Sequence, residues 1–240
     1  MTVAYAMNRL LETLSSGDLK YLEPHLEQVE LPRGMEIAHQ GEVLQSVYFP
    51  QTAIVSLVRD MANGQIVEMA AFGREGMVGL LFIGIPLNSV GRYLVQVPGT
   101  ALRMDAGRMR KAAAARPGIQ QMLLRYTELL MALTLQSTAC NAAHSIEARC
   151  CRWIMASGDR TGRNDVPLTH EYLAEMLGVQ RSSVSVVIKG LHDNGLIRQS
   201  RGKITILDRS RVEEAACECY PVLRAKYLQL LPLAQGEPEE

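Results

Sequence analysis

One run of the sequence limits what the rest can become. Pro117 is suited to the first turn of a helix. After it Ile119, Leu123, Tyr126, Leu130, Leu133, Ser137, Cys140 and His144 recur in strict four- and three-residue steps. That is a heptad seam sustained over more than three heptads. Its first half is strongly apolar, it weakens at Ser137, and Met122, Leu129 and Ala132 widen the apolar face. A helix of about 28 residues at 1.5 Å per residue is about 42 Å long, which is long for burial in one small domain. A core helix with a broad stripe is the alternative. The length favours a dimerisation helix with Ile119, Leu123, Tyr126, Leu130, Leu133, Ser137 and Cys140 facing a partner.

The flanks have other periods. Over residues 7–28, Leu10, Leu11, Leu14, Leu19, Leu22 and Leu26 predict a helical entry punctuated by Ser15-Ser16-Gly17-Asp18. From about 29 to 105, short apolar runs (47–49, 54–57, 66–69 and 93–97) lie between Gly, Pro and Asn breakers. Asn63-Gly64 between two such runs is a strong hairpin signal. Several short strands at this spacing predict an antiparallel barrel or sandwich. The last third reads as helix, short strands and paired helices. Ser157-Gly158-Asp159 and Thr161-Gly162-Arg163-Asn164 look like a breaker-rich linker.

A chain of 240 residues with 48% hydrophobic side chains can bury a core without disulfide staples. The start lacks a basic region and carries Arg9 and Glu12 where a signal peptide would be apolar, so a cytoplasmic location is expected. The longest uncharged stretch, Leu129 to Ile146, contains Gln136, Asn141 and His144 and makes a poor membrane span. The odd count of five cysteines, Cys140, Cys150, Cys151, Cys217 and Cys219, fits reduced thiols. Cys217-x-Cys219 offers two of four metal ligands, but no second cysteine pair has zinc-like spacing. Buried thiols, no metal and no cofactor are therefore expected.

The net charge of zero is an average over unlike pieces. Residues 1–143 carry 12 basic and 12 acidic side chains, 144–212 carry 11 and 7, and 213–240 carry 2 and 6. A basic region thus precedes an acidic tail that includes residues 232–240.

The most informative segment is LTHEYLAEMLGVQRSSVSVVIKGL, residues 168–191. Thr169 is a good N-cap, Glu171 lies in the first turn, and Gly178 ends the first helix. The second helix directs Val184, Val187, Ile188 and Leu191 inward, with Gln180, Arg181, Ser182, Ser183, Ser185 and Lys189 outward. This is helix-turn-helix arithmetic. The small hydroxyl side chains permit close approach to a duplex and suit phosphate oxygens, while the Arg181 fork fits the two acceptors of guanine. Next, Leu196-Ile197 and Ile204-Thr205-Ile206-Leu207 flank a basic glycine turn with Arg201 and Lys203 at its tip, the pattern of a wing.

With these pieces in order, residues 20–225 resemble a Crp/Fnr transcription regulator. The resemblance rests on Gly41-Glu42, Val47-Tyr48-Phe49-Pro50, the segment Gly73-Arg74-Glu75-Gly76-Met77-Val78-Gly79, Cys140-Asn141, His144-Ser145-Ile146-Glu147-Ala148-Arg149, and the winged helix-turn-helix. It implies an α+β fold: an N-terminal antiparallel β-roll of jelly-roll type, a long dimerisation helix and a C-terminal winged helix-turn-helix. The implied domains are a cyclic nucleotide-binding-like sensor at 1–116, the dimer helix at 117–146 and the DNA-binding domain with its tail at 147–240. A homodimer, a two-fold-related duplex DNA site, and RNA polymerase as a partner follow, with no membrane.

By resemblance Arg181 matches the family's base-reading arginine. Ser182 stands where cyclic-AMP receptors carry glutamate, and Val186 where another arginine contacts DNA, so their target sequence does not transfer. The effector pocket implied by the family comprises Gly73, Glu75, Gly76, Gly79, Leu80, Gly91 and Arg92. Leu80 replaces the ribose-binding glutamate, and Gly91-Arg92 replaces the phosphate-binding Arg-Ser pair. Leu80 cannot bond a ribose hydroxyl, so no tight cyclic-AMP binding is expected, and the effector is left unassigned. No cysteine precedes Cys140, so the iron–sulfur cluster of oxygen-sensing members is not expected either. Two other readings are a sensor whose roll still binds a nucleotide or another small molecule and a redox switch at Cys150-Cys151. An enzyme is not expected, because G-x-G-x-x-G, Walker, H-E-x-x-H and G-x-S-x-G motifs are missing.

Overall fold

A computed structural model of the protein describes residues 8–82 and 88–231. The segment at 232–240, named above for its acidity, lies outside the described residues. The chain begins with α1 (Arg9–Glu12) and α2 (Ser16–Leu22), each opened by a side-chain cap from Asn8 and Ser15. The single helical entry read from the leucine spacing is thus two short helices. Pro24 closes the second in a 3₁₀ turn, and Glu27–Leu31 is already strand β1.

The roll continues with β2 (Glu36–Ala38), β3 (Ser46–Pro50), β4 (Ile54–Asp60), β5 (Ile66–Phe72), β6 (Arg92–Val97) and β7 (Gly99–Asp105). These form two antiparallel sheets in the orders β1-β7-β3 and β2-β6-β4-β5. Strand β7 is central in the first, pairing Glu27↔Arg103 to Leu31↔Gly99 on one side and Ser46↔Asp105 to Pro50↔Ala101 on the other. The predicted hairpin is present: Gly64, with φ +81°, closes the turn between β4 and β5. Phe49, Ile54, Val55, Met77, Tyr93, Leu102 and Met104 fill the interior.

Helix α3 (Ala106–Ala115) leads to α4 (Pro117–Ala143), a 27-residue helix. Its start is pinned by Arg116, whose Nε donates to Asp18 Oδ1 at 2.7 Å. The Arg116 guanidinium and the Ser15 hydroxyl hold the Asp18 carboxyl below its ordinary range. A Cβ at Gly118 would lie 2.2 Å from Asp18 Oδ2, so only glycine admits this contact.

The remainder is α5 (Ile146–Thr161), β8 (Asp165–Val166), α6 (His170–Leu177), α7 (Arg181–Asp193), β9 (Ile197–Ser200), β10 (Lys203–Ile206), α8 (Arg209–Ala215) and α9 (Cys219–Leu230). The linker expected at Ser157-Gly158-Asp159 lies inside α5, which ends only at Gly162 in the left-handed conformation. Gly158 serves close packing instead: a Cβ there would lie 3.3 Å from both Arg163 O and Ile206 Cδ1. On α5, Trp153 is buried, with the guanidinium carbons of Arg152 and Arg160 at 4.8 and 5.5 Å from its ring centre.

The chain divides into two compact units, and the division falls within α4 between Met131 and Ala132. One unit holds most of the roll, the other the segment 132–224 with the β4–β5 turn. No helix among the described residues is long and apolar enough to cross a membrane.

Candidate nucleic-acid interface

The helix pair forms as its residue types dictate. Thr169 caps α6, its hydroxyl accepting from Tyr172 N at 3.1 Å. Gly178, at φ +63°, turns the chain where a side chain would be strained. Tyr172, Leu173, Met176 and Leu177 of α6 meet Val184, Ile188 and Leu191 of α7 in a buried seam. Arg149, itself buried on α5, donates through Nη2 to the Leu177 carbonyl and so holds the last turn of α6.

That packing leaves one face of α7 open. Gln180, Arg181, Ser182, Val186 and Lys189 are exposed, and Ser183 and Ser185 are half-buried. Val186, 73% exposed, is the most exposed large hydrophobic residue among the described residues. The wing follows: β9 and β10 pair antiparallel from Ile197↔Ile206 to Ser200↔Lys203, β8 borders β10, and Gly202 turns the tip at φ +73°. Arg198 and Arg201 are exposed along it, with Lys203 half-buried.

Three of the cations on this surface have carboxylate neighbours. Arg181 Nε lies 3.5 Å from Glu171 Oε2, Lys203 Nζ lies 2.9 Å from Asp165 Oδ2, and Lys189 pairs with Asp193 one turn on. The Thr205 hydroxyl and Lys203 hold the Asp165 carboxyl below its ordinary range. Exposed pairs of this kind are worth at most about 1 kcal/mol, so they orient the side chains without withholding them from a stronger anion.

His170 is not marked out by the sequence reading. Its Nε2 lies 2.8 Å from Gln199 Nε2, and its Nδ1 lies 2.8 Å from Ser185 Oγ. The Gln199 amide nitrogen can only donate, so His170 Nε2 accepts and the ring proton sits on Nδ1, donating to Ser185 Oγ. Ser185 donates its own proton to the Arg181 carbonyl at 3.0 Å. The relay ties the wing to the recognition helix. Burial, and secondly the Arg181 charge, lower the pKa of His170 and favour this neutral ring. A histidine at the first position after an N-cap is the only sequence signal that points here.

In the roll, the glycine-rich loop is filled from within. Tyr126 of α4 lies against it, donating to Met77 O at 3.3 Å, and a Cβ at Gly76 would fall 2.1 Å from the Tyr126 hydroxyl. Glu75 is buried and accepts from Gly73 N. Asn8 joins the same loop, its Nδ2 donating to Pro50 O and Gly76 O. Gly79, at φ +96°, packs against Val47, and Leu80 is buried. Gly91 N donates to Ser89 Oγ at 3.4 Å. Arg92 Nη1 lies 3.1 Å from Glu36 Oε1, so the arginine that stands beside the family's phosphate-binding position already holds a carboxylate. A recess of about 460 Å³ on the roll is lined by residues between Ile37 and Tyr48 and by none of these.

The residues expected to face a partner along α4 differ in burial. Ile119, Leu123, Tyr126 and Cys140 are buried within the protomer, and Leu130, Leu133 and Ser137 are half-buried. One residue over, Leu124, Glu128, Met131, Leu135, Thr138 and Ala142 repeat the same four- and three-residue steps and are all exposed. Leu124, Met131 and Leu135 are 63–65% exposed. Gly76 leaves room for Tyr126, which turns the 119–123–126 face toward the roll.

The cysteines are all buried and reduced. Burial pushes the Cys150 thiol well up and that of Cys151 up to about 12, which suits packing rather than redox reactivity at neutral pH. The other three do more than the sequence predicts. Cys140 in the last turn of α4 and His144 just past its end meet Cys217 and Cys219 from the α8–α9 junction, with all four donor atoms within 4.8 Å of one another. Spacing along the chain hides this group, because the pairs C-x-x-x-H and C-x-C lie far apart in sequence.

Comparison with known proteins agrees with this architecture. Residues 148–215 match the model of the Crp-like helix-turn-helix domain. The CRP-like cAMP-activated global transcriptional regulator of Mycobacterium tuberculosis is 24% identical over 202 residues, covering 81% of this chain and 90% of that one. The structure of FixK2 from Bradyrhizobium japonicum is similar with a TM-score of 0.71 at 15% identity, over 80% of this chain and 98% of that one. A CRP-family transcriptional regulator from Thermus thermophilus gives 0.67 at 18% identity, over 80% and 99%. With a Crp-like helix-turn-helix domain at 148–215 after a β-roll and a long helix, the chain is similar in fold to regulators of the Crp/Fnr family.

Proposed function

We propose that the chain acts in the cytoplasm as a homodimeric, sequence-specific DNA-binding regulator that contacts RNA polymerase. Residues 1–116 form its sensor, 117–146 its dimer helix and 147–240 its DNA-binding domain. The observation that carries this reading is the open face of α7, where Gln180, Arg181, Ser182 and Val186 stand clear of the protein beside a basic wing. A helix so exposed fits the major groove. There Arg181 matches the guanine acceptors, Val186 the thymine methyl, and Ser182, Ser183, Lys189, Arg201 and Lys203 the phosphates. Two copies related by a two-fold axis would set these helices about 34 Å apart, one turn of duplex. The stripe Leu124, Met131 and Leu135 is the apolar surface that supports pairing through α4.

The Mycobacterium tuberculosis relative is described as cAMP-activated. That ligand does not carry over easily: Leu80 is apolar and buried, and Arg92 is paired with Glu36. We infer a roll without tight cyclic-AMP affinity. The deciding experiment is a gel shift on DNA upstream of the protein's own gene and on genomic fragments at low salt. A shift that weakens as salt rises is expected, because phosphate contacts release counterions. No shift on any fragment refutes the reading. Calorimetry with cyclic AMP and cyclic GMP tests the roll, and micromolar binding of either refutes that part alone.

A further inference from the structure

The thiol–imidazole group where α4 ends has the dimensions of a metal site. Cys140 Sγ and Cys217 Sγ are 3.5 Å apart, and Cys219 Sγ is 3.6 Å from His144 Nδ1. Around a tetrahedral zinc ion with bonds of about 2.3 Å to sulfur and 2.0–2.1 Å to nitrogen, those edges would be about 3.8 and 3.6 Å. The 3.5 Å sulfur separation is far beyond a disulfide bond of about 2.05 Å. Three sulfurs and one imidazole are a soft donor set that favours zinc over magnesium or calcium.

The surroundings are what a bound cation needs and a plain cluster of thiols does not. His144 Nε2 lies 2.9 Å from Glu218 Oε1, which leaves Nδ1 turned to Cys219. A carboxylate on the far nitrogen of a ligating histidine is the usual way to fix its tautomer and raise its basicity. Gln136, one turn before Cys140 on α4, donates through Nε2 to Cys219 Sγ at 3.1 Å. Arg152, only 2% exposed, has no hydrogen-bond partner at Nε or Nη2, and its charge acts on Cys140 and Cys217. A buried guanidinium with open donors is costly beside neutral thiols. Beside three thiolates around a divalent ion, whose charges sum to minus one, it is the counter-charge.

We propose that Cys140, His144, Cys217 and Cys219 form a closed Cys₃His site for one thiophilic divalent ion, zinc above others, which staples the start of α9 to the end of α4. Four protein donors leave no open position, so the ion is structural. It fixes the residues immediately before Ser145, the N-cap of α5.

The test uses the full chain, untagged and purified under reductant without chelator. Native mass spectrometry and elemental analysis should find one zinc per chain. Cobalt(II) exchanged into the site should give a thiolate-to-cobalt charge-transfer band and the intense visible bands of a tetrahedral ion. Cys219→Ser and His144→Gln should each lose that spectrum and the tightly held zinc, while Cys150→Ser and Cys151→Ser keep both. Chelation of wild type should lower its melting temperature. Should the cluster variants fail to fold, wild-type stoichiometry and the cobalt spectrum decide alone. Wild type that retains no zinc after reconstitution and dialysis, zinc equally retained by Cys219→Ser, or an iron–sulfur chromophore would each overturn the assignment.

Discussion

Replacing Arg181 by alanine separates base reading from phosphate binding. Arg181 sits in the first turn of α7, 64% exposed, with Glu171 as its salt-bridge partner at 3.5 Å. Both side chains are largely exposed, so freeing Arg181 from Glu171 costs less than about 1 kcal/mol. A bidentate contact to guanine discriminates by about 1–3 kcal/mol. A two-fold dimer uses the residue twice, so Arg181→Ala should cost about 2–6 kcal/mol on the best site, at least a roughly 30-fold loss of affinity. The assay is fluorescence anisotropy, first on a site selected by wild type from random duplexes, then on each base-substituted version. For the variant, one symmetric pair of positions should lose its preference, while the dependence on salt keeps its slope. An equal loss on every duplex, with a shallower slope, would show that Arg181 holds a phosphate and refute the reasoning.

Other outcomes follow from the same surface. Lys203→Ala should weaken all duplexes alike and lower the salt slope by about 0.9 per protomer; a sequence-selective loss would contradict its place in the wing. Met131→Glu places a charge in the exposed α4 stripe and should shift the protein to monomers in light scattering, whereas an unchanged mass removes that stripe as the interface. His170 should titrate below its ordinary 6.5 in histidine NMR and carry its proton on Nδ1 at neutral pH. With its folded pKa depressed, the neutral ring contributes stability above the unfolded value that is lost as pH falls through the folded one. A raised midpoint would contradict the relay.

The helix-turn-helix was legible because each signal was local. Thr169, Gly178 and the apolar spacing of α6 and α7 act within a few residues, and all took the predicted roles. The roll was legible in outline through Asn63-Gly64 and the short apolar runs. On α4 two heptad stripes lie side by side, and spacing along the chain does not tell which of them the protomer buries. Which stripe turns inward depends on the absent side chain at Gly76, far away in sequence. Gly158 misled in the same way: read as a breaker, it is a contact point inside α5. The cysteine–histidine group and the His170 relay each join segments that only the tertiary fold brings together.

Trp153 gives the molecule an optical consequence. It is the single tryptophan of the chain, buried on α5 with the guanidinium groups of Arg152 and Arg160 close to its ring, and the Arg152 charge also acts on Cys140 and Cys217. Intrinsic fluorescence excited at the indole therefore arises wholly from the DNA-binding half. Any event that moves those cations, such as metal loading or docking on a duplex, is readable as a change in its emission without attaching a dye.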